Sequence, residues 1–273
     1  MKLIEKFDRV YIVNLPERSD RRREIEAELR RLGLQVDGER IRFHKAVRPD
    51  DAGLFPSLGA RGCFLSHLAI LNDAIECDLE KILVMEDDLR LDESFAQAQA
   101  KMSRRLDGKG WWFAYLGHVQ PSPDDGAPPR WQACWQPIAT THFYALNRVA
   151  LRPLRDHLQA CLSRPPGHPL GSPMHVDGAY SLFRAQHPEA LTLIATPSLG
   201  GQRSSRSDIY PNKWYDRTPG LMQLAGAMRA LKNFGVRAVS SARKVRPAFT
   251  SGEQAGKQAE QQAGKPSGEQ ANV

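Results

Sequence analysis

The chain has only four cysteines in 273 residues, too few for a disulfide scaffold of this size. Cys63, Cys77, Cys134 and Cys161 are too widely spaced for a C-x-x-C metal or redox pair. They are expected as small, reduced core residues. No apolar run approaches the roughly 18 residues of a membrane-spanning helix. The opening stretch MKLIEKFDRVYIVNL is broken by Glu5, Lys6, Asp8 and Arg9, so no signal peptide is expected. Also missing are G-x-G-x-x-G after the first strand, G-x-x-x-x-G-K-[ST] and G-x-S-x-G. Dehydrogenase, P-loop NTPase and α/β-hydrolase readings lose their support with them. The expected location is cytoplasmic.

What is present is ordinary soluble composition: 41% apolar and 25% charged residues. The length suits one large α/β domain or two small ones. The net charge of +7 is local. Residues 1–200 carry 26 basic and 26 acidic side chains, whereas 201–250 carry ten basic and two acidic. Such a block suits an anionic surface. Its basic residues follow a helical stripe and tail without alternating with aromatic stacking platforms, and the rest of the chain is neutral, so no nucleic acid is expected as a partner.

Residues 9–15, RVYIVNL, read as a buried strand. A helix follows, capped by Ser19 or Asp20, with Ile25, Leu29 and Leu32 on one face and Gly33 as its stop. Strand then helix opens a βαβ unit. Residues 41–61 read as irregular, and a helix is expected from about Cys63 to Cys77. KILVM at 81–85 reads as a central parallel strand ending in Glu86, Asp87 and Asp88. Further strands are expected at 111–117, 138–146 and 191–196, with helices at 92–106 and 148–162. Loops are expected at 120–130, 164–173 and 199–208.

Three domain segments follow: a catalytic domain over 1–219, a basic amphipathic extension over 220–250 and a low-complexity tail over 251–273. In the extension Leu221, Leu224, Met228, Leu231 and Phe234 fall at helical spacing among arginines and lysines. It reads either as a helix lying on anionic lipid or as an ordinary packed helix. The tail repeats SGEQA at 251–255 and 267–271 and cannot bury a core.

The strongest chemical signal is the acidic triplet after the apolar strand. Open α/β sheets bind ligands outside the carboxyl ends of their strands. Adjacent acids there repel one another and lose hydration, costs that a hard divalent cation offsets. The plainer alternative is a solvated turn that caps the next helix. Arg18, Arg21, Arg22 and Arg23 follow the first strand, where arginines can grip a diphosphate. A solvated helix face is the alternative, favoured for Arg22 and Arg23. Gly62-Cys63-Phe64-Leu65-Ser66-His67 is read as a helix start whose free N–H groups suit phosphate. His175-Val176-Asp177, if extended, puts an imidazole and a carboxylate on one side, as metal ligands or with Asp177 as a base.

Five stretches together carry a resemblance. They are VYIVNLPERSDRR (10–22), GARGCFLSHLAIL (59–71), ILVMEDDLRL (82–91), THFYALNRVALRPL (141–154) with MHVDGAYS (174–181), and PSLGGQRSSRSDI (197–209). In this order they resemble glycosyltransferase family 25, the lipopolysaccharide-biosynthesis type related to β-1,4-galactosyltransferases and collagen galactosyltransferases. One departure is Ala60, where the family usually has an acid.

The resemblance implies a GT-A-like α/β fold with a mainly parallel central sheet. It implies inverting transfer from a UDP-sugar, galactose first, to a saccharide acceptor that is lipopolysaccharide or another lipid-linked glycan. The chain is then expected at the cytoplasmic face of the membrane. Asn14, Leu15, Arg18, Arg21, Ser66 and His67 fall in the implied nucleotide and substrate set, as do Gln202, Arg203, Ser207 and Asp208. Glu86, Asp87 and Asp88 match the acidic motif and would hold Mn²⁺ or Mg²⁺ with the diphosphate. Asp88 and Asp177 are the implied catalytic pair, Asp177 as the base or as a sugar ligand. Two other functions fit the acids: a Mg²⁺-dependent nucleotidyl- or phosphotransferase, and a non-catalytic nucleotide-sugar binding module.

Overall fold

The computed structural model describes residues 3–121 and 127–203. Ser207, Asp208 and the segments 220–250 and 251–273 lie outside the described residues. The first strand, β1 (Arg9–Asn14), is followed by helix α1 (Ser19–Arg31), which ends at Gly33 with φ +70°. Then come β2 (Ile41–Lys45), α2 (Leu58–Glu76), β3 (Lys81–Glu86), β4 (Leu89–Leu91), α3 (Ser94–Ser103) and β5 (Phe113–Gly117). The remainder is β6 (Arg130–Ala133), β7 (Phe143–Asn147), α4 (Arg148–Ser163), α5 (Val176–Gln186), β8 (Thr192–Thr196) and β9 (Gly200–Gln202).

Seven strands form one sheet in the order β2-β1-β3-β7-β5-β8-β6. β1 pairs in parallel with β2 and β3, and β5 with β8, while β7 and β6 meet their neighbours antiparallel. Five of the seven strands therefore run in one direction. This is the α/β architecture, with a mainly parallel sheet, that the sequence led us to expect.

Alternation along the strands makes two cores. Tyr11 and Val13 of β1 and Val84 of β3 face Phe64, Leu68 and Leu71 of α2, with Leu154 of α4 and Phe183 of α5. Val10 and Ile12, with Leu83 and Met85, face Ile25 and Leu29 of α1 and Phe95 and Met102 of α3. Helices thus cover both faces of the sheet. Each such side chain stabilises the fold by about 1.5–3 kcal/mol. Pro153 lies inside α4, which runs through it.

Several local expectations are corrected. Residues 41–61 are not wholly irregular, because Ile41–Lys45 pairs with β1 as an edge strand. Helix α2 starts at Leu58, where the Ser57 hydroxyl accepts the Ala60 N–H at 3.0 Å. Gly62 and Cys63 therefore sit inside the helix, where amides bond to the preceding turn. The strand expected over 138–146 is confined to Phe143–Asn147. His175-Val176-Asp177 is not extended: His175 caps α5 and Asp177 lies in its first turn. Only Cys134 and Cys161 are buried core cysteines, while Cys77 is exposed and Cys63 borders a cleft.

Candidate active site

The carboxyl ends of β1 and β3 lie side by side, with Val13 opposite Glu86. That register brings Asn14 to the acidic triplet. The Asn14 side-chain amide donates to Asp87 Oδ2 at 2.8 Å and to the Arg18 carbonyl at 3.3 Å. A cleft of about 470 Å³ opens there. Leu15, Arg18 and Arg21 line it, together with residues 46–49 and the start of α2. The acids form the floor, and Gln202 and Arg203 follow from β9.

Gly62 makes this shape possible. A Cβ there would stand 2.6 Å from the Val47 carbonyl oxygen, so only glycine lets α2 approach the 46–49 wall. Ser66 ties the same wall down. Its hydroxyl accepts the Val47 N–H at 2.8 Å and donates to the Gly62 carbonyl at 2.6 Å. Ser66 is thus committed to holding the cleft wall.

The three acids have different surroundings. Asp87 is paired with Arg21 Nη1 at 2.9 Å and accepts a hydrogen bond from Asn14. Asp88 stands farther from the same guanidinium, at 3.6 Å, and its Oδ1 is buried without a hydrogen-bond partner. Desolvation raises its carboxyl above the usual range, with Arg21 pulling the other way. Glu86 keeps some contact with cleft solvent and accepts from the Gln202 amide at 3.0 Å. Burial, then Asp88, then Asp87, push its carboxyl up to about 8. Glu86 and Asp88 are a hard-oxygen donor pair short of positive charge, which suits Mg²⁺ or Mn²⁺. Asp87 adds charge while orienting Arg21.

Two sequence signals change meaning in three dimensions. Arg203 does not simply point at the cleft: its guanidinium grips Glu28 at 2.9 Å and Glu24 at 3.2 Å on α1, and its N–H donates to the Asp88 carbonyl. It clamps the acidic turn to α1. His67 does not line the cleft. It is fully enclosed, stacked on Tyr144, with Nδ1 2.7 Å from that hydroxyl. Burial lowers it to about 3, so it stays neutral, and a direct diphosphate contact loses its basis. Arg18 lines the cleft and also pairs with Asp20 at 2.9 Å. Arg22 lies over the Phe43 ring at 4.2 Å, away from the triplet.

Asp177 borders a second cavity of about 110 Å³, which shares Cys63, Glu86 and Gln202 with the main cleft. Its Oδ2 accepts the Thr140 N–H at 2.9 Å and its Oδ1 the Gly178 N–H at 2.8 Å. Thr140 adopts φ +77°, a costly conformation for a β-branched residue. Ala60 lines this smaller cavity, so the departure noted in the sequence falls beside Asp177 and leaves space there. Gln202 on Glu86, Arg48 on the rim and the Arg203 clamp were not separable by spacing, because each depends on contacts between distant segments.

A ligand cleft with an acidic floor, at the carboxyl end of an α/β sheet, is the class of site these features define. The family model for glycosyltransferase family 25 (LPS biosynthesis protein) matches residues 7–122. The human protein named inactive glycosyltransferase 25 family member 3 is 25% identical over 269 residues, covering 83% of this chain and 43% of that protein. Mouse procollagen galactosyltransferase 2 is 29% identical over 133 residues, covering 41% of this chain and 21% of that protein. The chain therefore spans less than half the length of these curated relatives. A solved glycosyltransferase involved in glycosylation of the PBCV-1 major capsid aligns over 69% of this chain and 81% of its own, with 12% identity and a TM-score of 0.43. Over residues 7–122, and more loosely over most of its length, the chain is similar to glycosyltransferase family 25.

Proposed function

We propose that the chain moves a sugar from a nucleotide-diphosphate sugar to a hydroxyl of a saccharide acceptor, releasing the nucleoside diphosphate. The observation that carries this is the orphaned, desolvated Asp88 Oδ1 beside Glu86 in a cleft walled by Arg18 and Arg21. Mn²⁺ or Mg²⁺ held by Asp88 and Glu86, with Asp87 behind them, would supply charge stabilisation to the departing diphosphate. Arg21, fixed between Asp87 and Asp88, orients those carboxylates. Leu15 and the 46–49 wall offer apolar surface for a nucleobase. UDP-galactose is the first donor to test, in keeping with the name procollagen galactosyltransferase 2 of one relative.

Asp177 takes the acceptor proton in this reading. It borders the smaller cavity that opens beside Glu86, and its two N–H bonds hold the carboxylate in one orientation. A lipid-linked glycan as acceptor agrees with the basic block at 201–250, which suits an anionic membrane face. The human relative is named inactive, so turnover is the decisive measurement.

The experiment is a screen of UDP-sugars with the full chain and Mn²⁺, with products analysed. Free UDP released with one donor, and lost in Asp88→Asn, supports sugar transfer. Pyrophosphate as product instead supports nucleotidyl transfer. Tight UDP binding with no turnover of any donor supports a binding module.

A further inference from the structure

Helix α2 carries a second set of ligating groups behind the acidic triplet. Cys63 and His67 stand four residues apart, on one face of the helix. Opposite them is Glu86, at the end of β3. One ligand atom from each of the three lies within 4.8 Å of the other two. Tetrahedral zinc ligands are about 3.5 Å apart, by the usual bond lengths, so side-chain adjustments of about 1 Å would close the set. We propose that Cys63, His67 and Glu86 form a three-ligand site for a thiophilic divalent ion of the Zn²⁺ class, which shares Glu86 with the all-oxygen pair expected to take Mn²⁺ or Mg²⁺ but does not need Asp88.

The state of His67 is the independent support. Its side chain is fully buried, and Nε2 has no hydrogen-bond partner. Nδ1 is 2.7 Å from the Tyr144 hydroxyl, which is 3.0 Å from the Tyr180 hydroxyl. In the tautomer whose Nδ1–H donates to Tyr144, the free lone pair sits on Nε2, ready for a metal. Ligating histidines are commonly held this way through their other ring nitrogen. A buried, unsatisfied nitrogen is costly, and an ion would satisfy it.

Cys63 provides the entry path, since it borders both the main cleft and the smaller cavity. On binding, the metal replaces the thiol proton and the proton of the raised Glu86 carboxyl, and both leave to solvent. Thiolate, imidazole and one carboxylate select Zn²⁺ or Co²⁺ over Mg²⁺ and Mn²⁺, and leave a fourth position open toward the cleft. This proposal does not depend on which donor or acceptor the protein uses.

The test is a titration of chelator-treated, full-length protein with Co²⁺. One equivalent should produce a thiolate-to-cobalt charge-transfer band in the near ultraviolet, and Zn²⁺ should displace it. Cys63→Ser should abolish the band, and His67→Gln should weaken Co²⁺ binding by about tenfold or more. Cys161→Ser should leave it intact, although Cys161 Sγ also approaches a histidine, His157 Nε2, at 3.6 Å. Asp88→Asn should also leave it intact, which separates this site from the hard-cation site. If Cys63→Ser does not fold, the unaltered chain decides. Zn²⁺ should then slow iodoacetamide alkylation of Cys63, read by peptide mapping, by about tenfold while the exposed Cys77 reacts unchanged. No band with the unaltered chain, a band that survives in a folded Cys63→Ser, or no protection of Cys63 would overturn the proposal.

Discussion

Arg21 and Asp87 form an ion pair at 2.9 Å although 66 residues separate them, and their side chains are only 11% and 7% exposed. The pair exists because β1 and β3 are hydrogen-bonded neighbours, which sets the start of α1 over the end of β3. Removing the guanidinium leaves two carboxylates short of positive charge in a desolvated cleft, with only the Asn14 amide and the more distant Arg203 to offset them. Arg21→Ala should cost about 3 kcal/mol of stability in metal-free protein. Saturating Mn²⁺ should recover part of that loss, as read by urea unfolding with and without the ion.

Asp88→Asn should affect catalysis and folding in opposite directions. It removes the unpartnered anionic oxygen, so donor turnover should fall by about 10²-fold or more. The metal-free fold should be no less stable, because a desolvated charge has gone. Parallel measurements of UDP release and melting temperature check both halves.

Stability should pass through a maximum near pH 6.5 in chelator. Glu86 is raised to about 8 in the fold against about 4.5 unfolded. The folded state therefore binds more protons, and the contribution present below 4.5 is lost as pH rises to about 8. His67, lowered to about 3, and His157, lowered to about 4, act in the opposite sense. Their folded forms bind fewer protons, so stability rises with pH up to about 6.5. Between 6.5 and 8 the histidines no longer contribute, and the raised Glu86 carboxyl, with Asp88 acting in the same sense, sets the slope. The Glu86 share is at most about 1.4 kcal/mol per pH unit, and less because cleft solvent reaches it. Glu86→Gln should flatten this limb, measured by unfolding at a series of pH values.

Gly62→Ala tests the cleft wall. The new methyl meets the Val47 carbonyl oxygen at 2.6 Å, so α2 and residues 46–49 must part. The cost should be about 1–3 kcal/mol, with weaker UDP binding by calorimetry. Ser66→Ala should weaken the same wall by about 1 kcal/mol through its two lost hydrogen bonds.

Asp177→Asn should retain the N–H contact to one side-chain oxygen while removing the proposed base. Transfer to the acceptor should fall by about 10²–10⁴-fold, with UDP affinity unchanged. Equal transfer by the variant would move the base elsewhere, which paired turnover and binding assays would reveal.

Much of the fold was legible because burial leaves a periodic trace. RVYIVN and KILVME are apolar on both faces, as strands between two helical layers must be. Strand β2 was hard to see because it is an edge strand, half-buried, with Arg42 and His44 on it. The α2 start was misplaced because Leu58 is exposed and carries no apolar signal, whereas the Ser57 cap shows itself only through a bond to Ala60. His175-Val176-Asp177 has no local preference strong enough to choose strand over helix, and packing of Val176, Ala179 and Tyr180 into the core chose helix.

The order of residues alone settled that three carboxylates end an apolar strand and that arginines follow the first strand, and it carried the resemblance to glycosyltransferase family 25. Periodicity and short motifs suffice for such facts because they depend on neighbours along the chain. Tertiary structure decided which carboxylate is paired and which has an orphaned oxygen, that Arg203 clamps α1, and that His67 faces Tyr144 instead of the cleft. Those outcomes depend on desolvation and on contacts between segments up to 179 residues apart, which no local pattern records.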